Sequence, residues 1–254
     1  MRVQHGAAVT VVGRTFKDDA EKITFIKADL SLMKEAKKIG ESVEPADVVV
    51  FTAGIVPKQI RETSEEGIEM DMATSYLSRL VILKYLVPRL KPKSRVFNMG
   101  FPGSNNSKIK IDDLNAEKSY EGGFGDVHMT TVAGNEALVL HYAQKESGVS
   151  FFGLNPGLIN TGIRGNMYTG WMKMLEPIAE GMIGLFNPSP TSYAAKMVPL
   201  FFAGNLDEHS GAMFNPKAQP VKASEHFQDK EFVEKLITNS EAVITEKAGI
   251  SLPH

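Results

Sequence analysis

One of the two histidines on a predicted helix is a candidate for proton transfer. His128 stands three residues before Thr131, about one helical turn away, and His141 follows on the same helix. An imidazole titrates near neutral pH, so it can give or take a proton during a reaction. His128 is therefore a candidate acid, with a helix-capping or surface role as the alternative.

Arg14 is a candidate for binding a phosphate group. It follows the apolar run 8–12 and Gly13, a pattern typical of a β-strand that ends in a turn. The planar guanidinium offers the fork of N–H donors that a phosphate needs. A solvated loop arginine is the alternative.

Tyr120 lies in a glycine-flanked loop and could swing into a pocket. The alternative is that it is a surface aromatic residue.

The composition argues against several kinds of site and partner. Among the 254 residues there is no cysteine, which excludes disulfides, a thiolate zinc site and a cysteine nucleophile, and we expect no metal site. A formal net charge of -2 argues against nucleic acid or an anionic membrane as a partner. The first residues form no signal peptide, and no apolar stretch is long enough to span a bilayer. We therefore expect a cytoplasmic protein.

Short apolar runs alternate with helical patterns along the chain. The runs predict strands at 8–12, 23–26, 47–51, 95–99, 150–155 and 211–215. Helices are predicted at 31–43 with Ser31 as the cap, at 64–90, 127–147, 191–203 and 229–239. Strands that are apolar throughout suit parallel strands covered on both faces. The fold class predicted is α/β, with a doubly wound (Rossmann-like) parallel sheet in three layers.

The length fits a single domain, 1–254, better than two. Residues 162–190 contain Trp171, several methionines and several glycines, which favours a mobile lid over a rigid core helix.

The order and spacing of three short motifs resemble the short-chain dehydrogenase/reductase family. The motifs are Asp29-Leu30, then Phe51-Thr52-Ala53-Gly54, and a long helix and strand that run into Pro156-Gly157 and Thr161. The similarity covers about residues 8 to 215. It implies an oxidoreductase that uses NADP and a small-molecule substrate. The implied cofactor-binding residues are Arg14 at the 2'-phosphate, Asp29 and Leu30 beside the adenine, and Ala53, Gly54, Pro156, Gly157 and Thr161.

The start of the chain departs from the family pattern. By this alignment the family's first strand and its Gly-rich turn lie upstream of Met1, so the chain is interpreted as truncated at its N-terminus. In the family that strand lies between the second and the fourth, so either another segment fills its position in the sheet or the chain is a truncated form. The alternative is that 9–13 is itself the first strand.

The catalytic positions also depart from the pattern. The family's Tyr and Lys align with Thr131 and Asn135, and its Ser and Asn align with Phe101 and Ser75. A threonine hydroxyl is far less acidic than a phenol, and an amide supplies no positive charge. We therefore expect a degenerate active site with slow carbonyl reduction. Ser104 and His128 are the displaced residues that could substitute.

Three functions follow as hypotheses. The first is an NADP-dependent oxidoreductase that uses displaced residues, the second a non-catalytic binding or oligomerising protein, and the third a non-redox isomerase or cyclase. The resemblance also implies that 205–254 shapes the substrate pocket. Family members commonly form dimers or tetramers through the two long central helices, here 64–90 and 127–147, so a homo-oligomer is a further expectation.

Overall fold

The computed structural model describes residues 6–16, 23–104, 108–157 and 189–253. In chain order, the elements of this part are β1 (Val9–Gly13), β2 (Ile23–Lys27), α1 (Met33–Ser42), β3 (Val48–Phe51), α2 (Met70–Met72), α3 (Ser78–Leu86), β4 (Arg95–Met99), α4 (Asp126–Lys145), β5 (Ser150–Leu154), α5 (Pro190–Phe201), β6 (Met213–Phe214), β7 (Pro220–Val221) and α6 (Lys230–Ala248).

The strands form two ladders. β1 pairs with β2 in parallel, and β3 to β7 form a five-stranded sheet in chain order. The pairs from β3 to β6 are parallel, and β7 pairs with β6 in the antiparallel direction. The predicted α/β class with a mostly parallel sheet is confirmed. Among the described residues no ladder joins β1 to β3.

The N-terminal boundary predicted for the helix at 64–90 is wrong, because the helix begins only at Met70. Gly67 adopts a φ of 78° and closes a turn in which Ser64 N donates to Ile68 O. Glu69 then caps the helix, since its carboxylate accepts a hydrogen bond from Met72 N at 2.8 Å. Between α2 and α3 the chain forms a π-helical turn, Ala73–Leu77.

Two other helix boundaries differ from the prediction. Ser31 does not cap α1, because its N–H and hydroxyl both donate to Asp29 Oδ1. The distant Glu66 takes that role and accepts from Met33 N. The closing helix extends to Ala248, where Gly249 ends it with a φ of 67°. The predicted lid, 162–190, lies outside the described residues apart from its last two positions.

α3 and α4 lie at the centre of the molecule. The largest buried side chains include Tyr76, Leu138 and Phe151, and they belong to one apolar cluster that also holds Leu236 of α6. α6 is tied to the central helices by a hydrogen bond from Tyr76 to Ser240. Among the described helices, none combines the length and the apolar character needed to cross a bilayer.

Candidate active site

The candidate site lies where the parallel strands β3, β4 and β5 end side by side. In this register Phe51 lies opposite Asn98, and Met99 lies opposite Leu154. The turns that follow therefore meet at one edge of the sheet. The carboxyl edge of a parallel sheet is the place where open α/β folds bind their ligands.

A buried arginine joins two of these turns. Arg79 of α3 is only 4% exposed. Its Nη1 donates to Asn98 Oδ1 at 2.7 Å and to the carbonyl of Met99, and its Nη2 donates to Ala53 O at 2.7 Å. Burial lowers the pKa of the Arg79 guanidinium to about 9, and the nearby Asp71 carboxylate opposes that shift. Arg79 thus fixes the turn after β3 against the end of β4.

Asn135 belongs to the same network. Its Oδ1 accepts from Arg79 Nη1 at 3.0 Å and from Asn98 Nδ2 at 3.1 Å. Its Nδ2 donates to Ser75 O at 2.8 Å and to Thr131 O at 2.9 Å. Because the amide uses both of its ends in this way, Asn135 connects α4 to β4 and to the π-helical turn. In this structure Asn135 therefore lies in the site as a hydrogen-bonding residue that connects these elements.

Thr131 is 1% exposed, and its hydroxyl donates to Val127 O of its own helix at 3.2 Å. This local bond turns the hydroxyl toward the helix backbone. Ser104 is half-buried in the loop after β4. Neither hydroxyl joins the network around Arg79.

His128 is in contact with a carboxylate that the sequence analysis overlooked. Its Nδ1 lies 2.7 Å from Asp71 Oδ2, and the Asp71 side chain is fully buried. Asp71 Oδ1 accepts the hydroxyl hydrogen bond of Ser75 at 2.5 Å, and Ser75 Oγ accepts from Ile55 N at 2.9 Å. A chain of hydrogen bonds thus runs from His128 to the turn after β3.

Glu69, two residues before Asp71, is a second buried carboxyl group. Burial raises the pKa of Glu69 to about 7, with a further contribution from the Asp71 charge. Its Oε1 has no hydrogen-bond partner among the described residues.

Tyr120 lies in the loop before α4. Burial is the main reason why the pKa of Tyr120 rises to about 12, and the phenol donates to Lys58 O.

A cavity of about 470 Å³ opens at the same sheet edge. It is lined by residues 101–103 after β4, by Asn155 after β5, and by side chains of segment 221–228. Phe101, which aligns with the family's Ser, is 48% exposed.

Glu136 of α4 joins two walls of this cavity. Its carboxylate accepts from Ser224 N and Oγ at 2.6 and 2.8 Å and from Gly103 N at 3.2 Å. Burial raises the pKa of Glu136, while these hydrogen bonds act in the opposite direction. Glu136 was not among the residues predicted from the sequence.

The residues expected at the cofactor follow several strands. Arg14 is exposed after β1, whereas Leu30 is buried after β2 and Asp29 bonds Ser31. A Cβ on Gly54 would lie 3.2 Å from Ser75 Oγ, so the packing against Ser75 leaves little room for a side chain at this turn. After β5, Gly157 has a φ of 63° next to Pro156 and donates to Asn155 Oδ1. Thr161 lies outside the described residues.

Helical periodicity could have revealed Asp71 and Arg79. Asp71, Ser75 and Arg79 recur every four residues, which places them on one face of a helix next to the end of β3.

Within the described ranges, no group of three or more His, Asp and Glu side chains could hold a metal ion.

Known proteins resemble this chain over most of its length. The protein named "Uncharacterized oxidoreductase YKL107W" of Saccharomyces cerevisiae is 39% identical over 96% of this chain and 82% of its own length. Retinol dehydrogenase 13 of Mus musculus is 24% identical over 98% of this chain and 74% of its own length. No family model matches the sequence.

Solved structures show the same fold. A short chain dehydrogenase family protein from Francisella tularensis has a TM-score of 0.59 at 15% identity, over 81% of this chain and 84% of its own. The NADPH-bound carbonyl reductase from chicken fatty liver has a TM-score of 0.55 at 14% identity, over 84% and 86%. The chain belongs to the short-chain dehydrogenase/reductase family, as its motifs predict.

Proposed function

We propose that this chain is an NADP(H)-dependent oxidoreductase that interconverts a carbonyl group and the corresponding alcohol of a small molecule. The observation that carries the proposal is that the cavity opens at the same sheet edge as the glycine-containing turns after β3 and β5. A cofactor along that edge and a substrate in the cavity would share one boundary, at Phe101 and Asn155.

The relatives support the reaction class. The yeast relative carries the name oxidoreductase, and the murine relative is named a retinol dehydrogenase. Among the structural neighbours, an angucycline ketoreductase was crystallised with NADP, with a TM-score of 0.54 at 14% identity. Together with the exposed guanidinium of Arg14, these names favour NADP(H) over NAD(H).

The residues present fit this cofactor. The exposed Arg14 would bind the 2'-phosphate, Asp29 and Leu30 would lie beside the adenine, and the half-buried turn at Ala53 and Gly54 would contact the cofactor. Residues 156–157 and Thr161 would hold the nicotinamide end. When bound, NADPH supplies a hydride.

The test is a turnover assay with the purified chain. NADPH oxidation is followed with a panel of aromatic, aliphatic and polyene aldehydes and ketones, and NADPH binding is measured separately by fluorescence. Substrate-dependent NADPH oxidation with matching alcohol formation is the expected result. Binding without turnover would contradict it and favour a non-catalytic protein. A product formed without cofactor consumption would favour a non-redox isomerase or cyclase.

A further inference from the structure

The pair formed by His128 and Asp71 has the geometry of a proton donor with its supporting carboxylate. His128 lies in the first turn of α4, and its side chain is 16% exposed, whereas Asp71 is fully buried. Only one ring nitrogen, Nδ1, contacts Asp71. The other nitrogen, Nε2, has no hydrogen-bond partner among the described residues and is left for an incoming group.

Asp71 is itself held in place. Its second oxygen accepts the Ser75 hydroxyl, which in turn accepts Ile55 N, one residue after Gly54. The pair therefore has a fixed position relative to the turn after β3. A carboxylate on Nδ1 keeps the hydrogen on that nitrogen, so that proton exchange takes place at Nε2.

The other candidates are already engaged. The Thr131 hydroxyl bonds Val127 O within its helix, and both ends of the Asn135 amide take part in the Arg79 network. Those two positions hold the acid and its activating cation in the family pattern. In the described part of the chain, His128 is the imidazole near them, three residues before Thr131, and its Nδ1 contacts a buried carboxylate.

We propose that His128 Nε2 donates the proton to the substrate oxygen during carbonyl reduction and removes it during alcohol oxidation, with Asp71 as its positioning residue. The inference rests on the proposed function. As the carbonyl carbon accepts a hydride and forms its new C–H bond, the π electrons move to oxygen. The oxygen takes the proton from imidazolium Nε2, and the neutral imidazole regains a proton from solvent.

The charged and titratable groups that surround His128 are few in the described part of the chain. Asp71 contacts it from the segment opposite, and the charges of Glu69 and Arg79 interact with the Asp71 carboxylate. Tyr120 lies in the preceding loop, near both carboxylates. These neighbours are unchanged in a His128 variant, so a comparison with wild type isolates the imidazole.

The first experiment measures the imidazole itself, without cofactor. In NMR spectra of the histidine ring nitrogens, Asp71→Asn should change the Nδ1 signal of His128, because the carboxylate that contacts this nitrogen is lost. His141 is the control, since it lies on the same helix and bonds Glu234 at 2.7 Å. Its ring signals should not move. Unchanged His128 signals would overturn the pairing.

The second experiment measures turnover. His128→Gln should lower kcat about 10²- to 10⁴-fold, with an unchanged NADPH Kd, and should remove the corresponding limb of the pH–rate profile. His141→Gln is the matched control and should retain wild-type kcat. In His128→Ala, added imidazole should restore part of the rate, which a purely structural role would not allow.

The outcomes separate the two proposals. A wild-type chain that turns over, together with a His128→Gln variant of equal kcat and pH profile, overturns the role of His128 and leaves the oxidoreductase standing. Loss of activity that imidazole does not restore also contradicts it. A wild-type chain without turnover overturns both.

Discussion

Arg79 supplies the buried positive charge of the site. The family pattern places a lysine where this chain has Asn135, and Arg79 lies 3.0 Å from the Asn135 amide oxygen. Among the described residues its guanidinium has four acceptors, all neutral, and the Asp71 carboxylate acts at longer range. A planar guanidinium can bind several acceptors at fixed angles, which a lysine ammonium cannot do. The cation is therefore retained although the lysine is not.

Replacing Arg14 should separate the two nicotinamide cofactors. Arg14→Ala removes a charge-assisted contact with a 2'-phosphate, worth about 1.5–3 kcal/mol, so the Kd for NADPH should rise about 10- to 100-fold and that for NADH much less. Fluorescence titration measures both constants. Lys91→Ala, an exposed cation before β4 and so at the opposite sheet edge, is the control. Equal effects of Arg14→Ala on NADPH and NADH would contradict the assignment.

Glu69 should make the stability depend on pH. Its pKa is about 7 in the folded chain against 4.5 without burial, so the folded state binds the proton more tightly. The free energy of unfolding should therefore fall as pH rises from about 4.5 to about 7, by up to ~3 kcal/mol. Glu69→Gln removes this fall and should be more stable than wild type above about pH 7.

Urea unfolding at several pH values measures the difference between Glu69→Gln and wild type. The matched control is Glu65→Gln, which changes an exposed glutamate in the same segment and should follow the wild-type curve. Parallel curves for Glu69→Gln and wild type across the whole pH range would show that Glu69 ionises normally.

At the scale of elements, the contact between α4 and the π-helical turn is closely packed. A Cβ on Gly134 would lie 2.6 Å from the Tyr76 ring, and the Tyr76 hydroxyl bonds Ser240 of α6 at 2.8 Å. The ring is fully buried on all sides, so it has no room to move away. Glycine is therefore required where two helices meet.

Gly134→Ala should destabilise the chain despite the better helix propensity of alanine. Overpacking costs about 1–3 kcal/mol, which exceeds the gain of about 1 kcal/mol from replacing a helical glycine. Chemical denaturation gives the difference. Gly148→Ala is the control, because a Cβ there meets nothing within 4 Å. An unchanged or higher stability of Gly134→Ala would mean that the ring shifts easily.

At the scale of the whole molecule, α6 covers the face that family members commonly use for association. Lys84 of α3 pairs with Glu241 at 2.6 Å, and His141 of α4 pairs with Glu234 at 2.7 Å. Val233, Leu236 and Ile237 are buried in the same cluster as both helices. The outer sides of the two central helices are thus occupied by the chain's own helix.

We therefore expect the chain to be monomeric. Since a second copy would have to displace α6 and expose its buried apolar side chains, association through α3 and α4 costs more than it gains. Sedimentation velocity at micromolar concentration should give a single species with the mass of one chain. A stable dimer would contradict this expectation, unless crosslinking showed that it forms through another face.

The sequence by itself predicted the four parallel strands of the central sheet, β3 to β6, but not the antiparallel β7. The run 95–99 is predicted with the bounds of β4, because a short apolar run between turn residues has few other stable conformations. The family motifs also predict cofactor residues at the carboxyl edge of that sheet. Of the predicted catalytic positions, Asn135 bonds Asn98 near the end of β4. Thr161 and the assignments of the cofactor residues stay predictions.

Only the tertiary structure decided which polar groups are paired and which are free. Asp71 and His128 are 57 residues apart in the chain, and Arg79 and Asn135 are 56 residues apart. A local pattern carries no information about such contacts, because burial and hydrogen bonding depend on segments that meet only after folding. The start of α2 was missed for the same reason, since residues far away in the chain hold the segment before it: Glu69 N donates to Asn115 Oδ1.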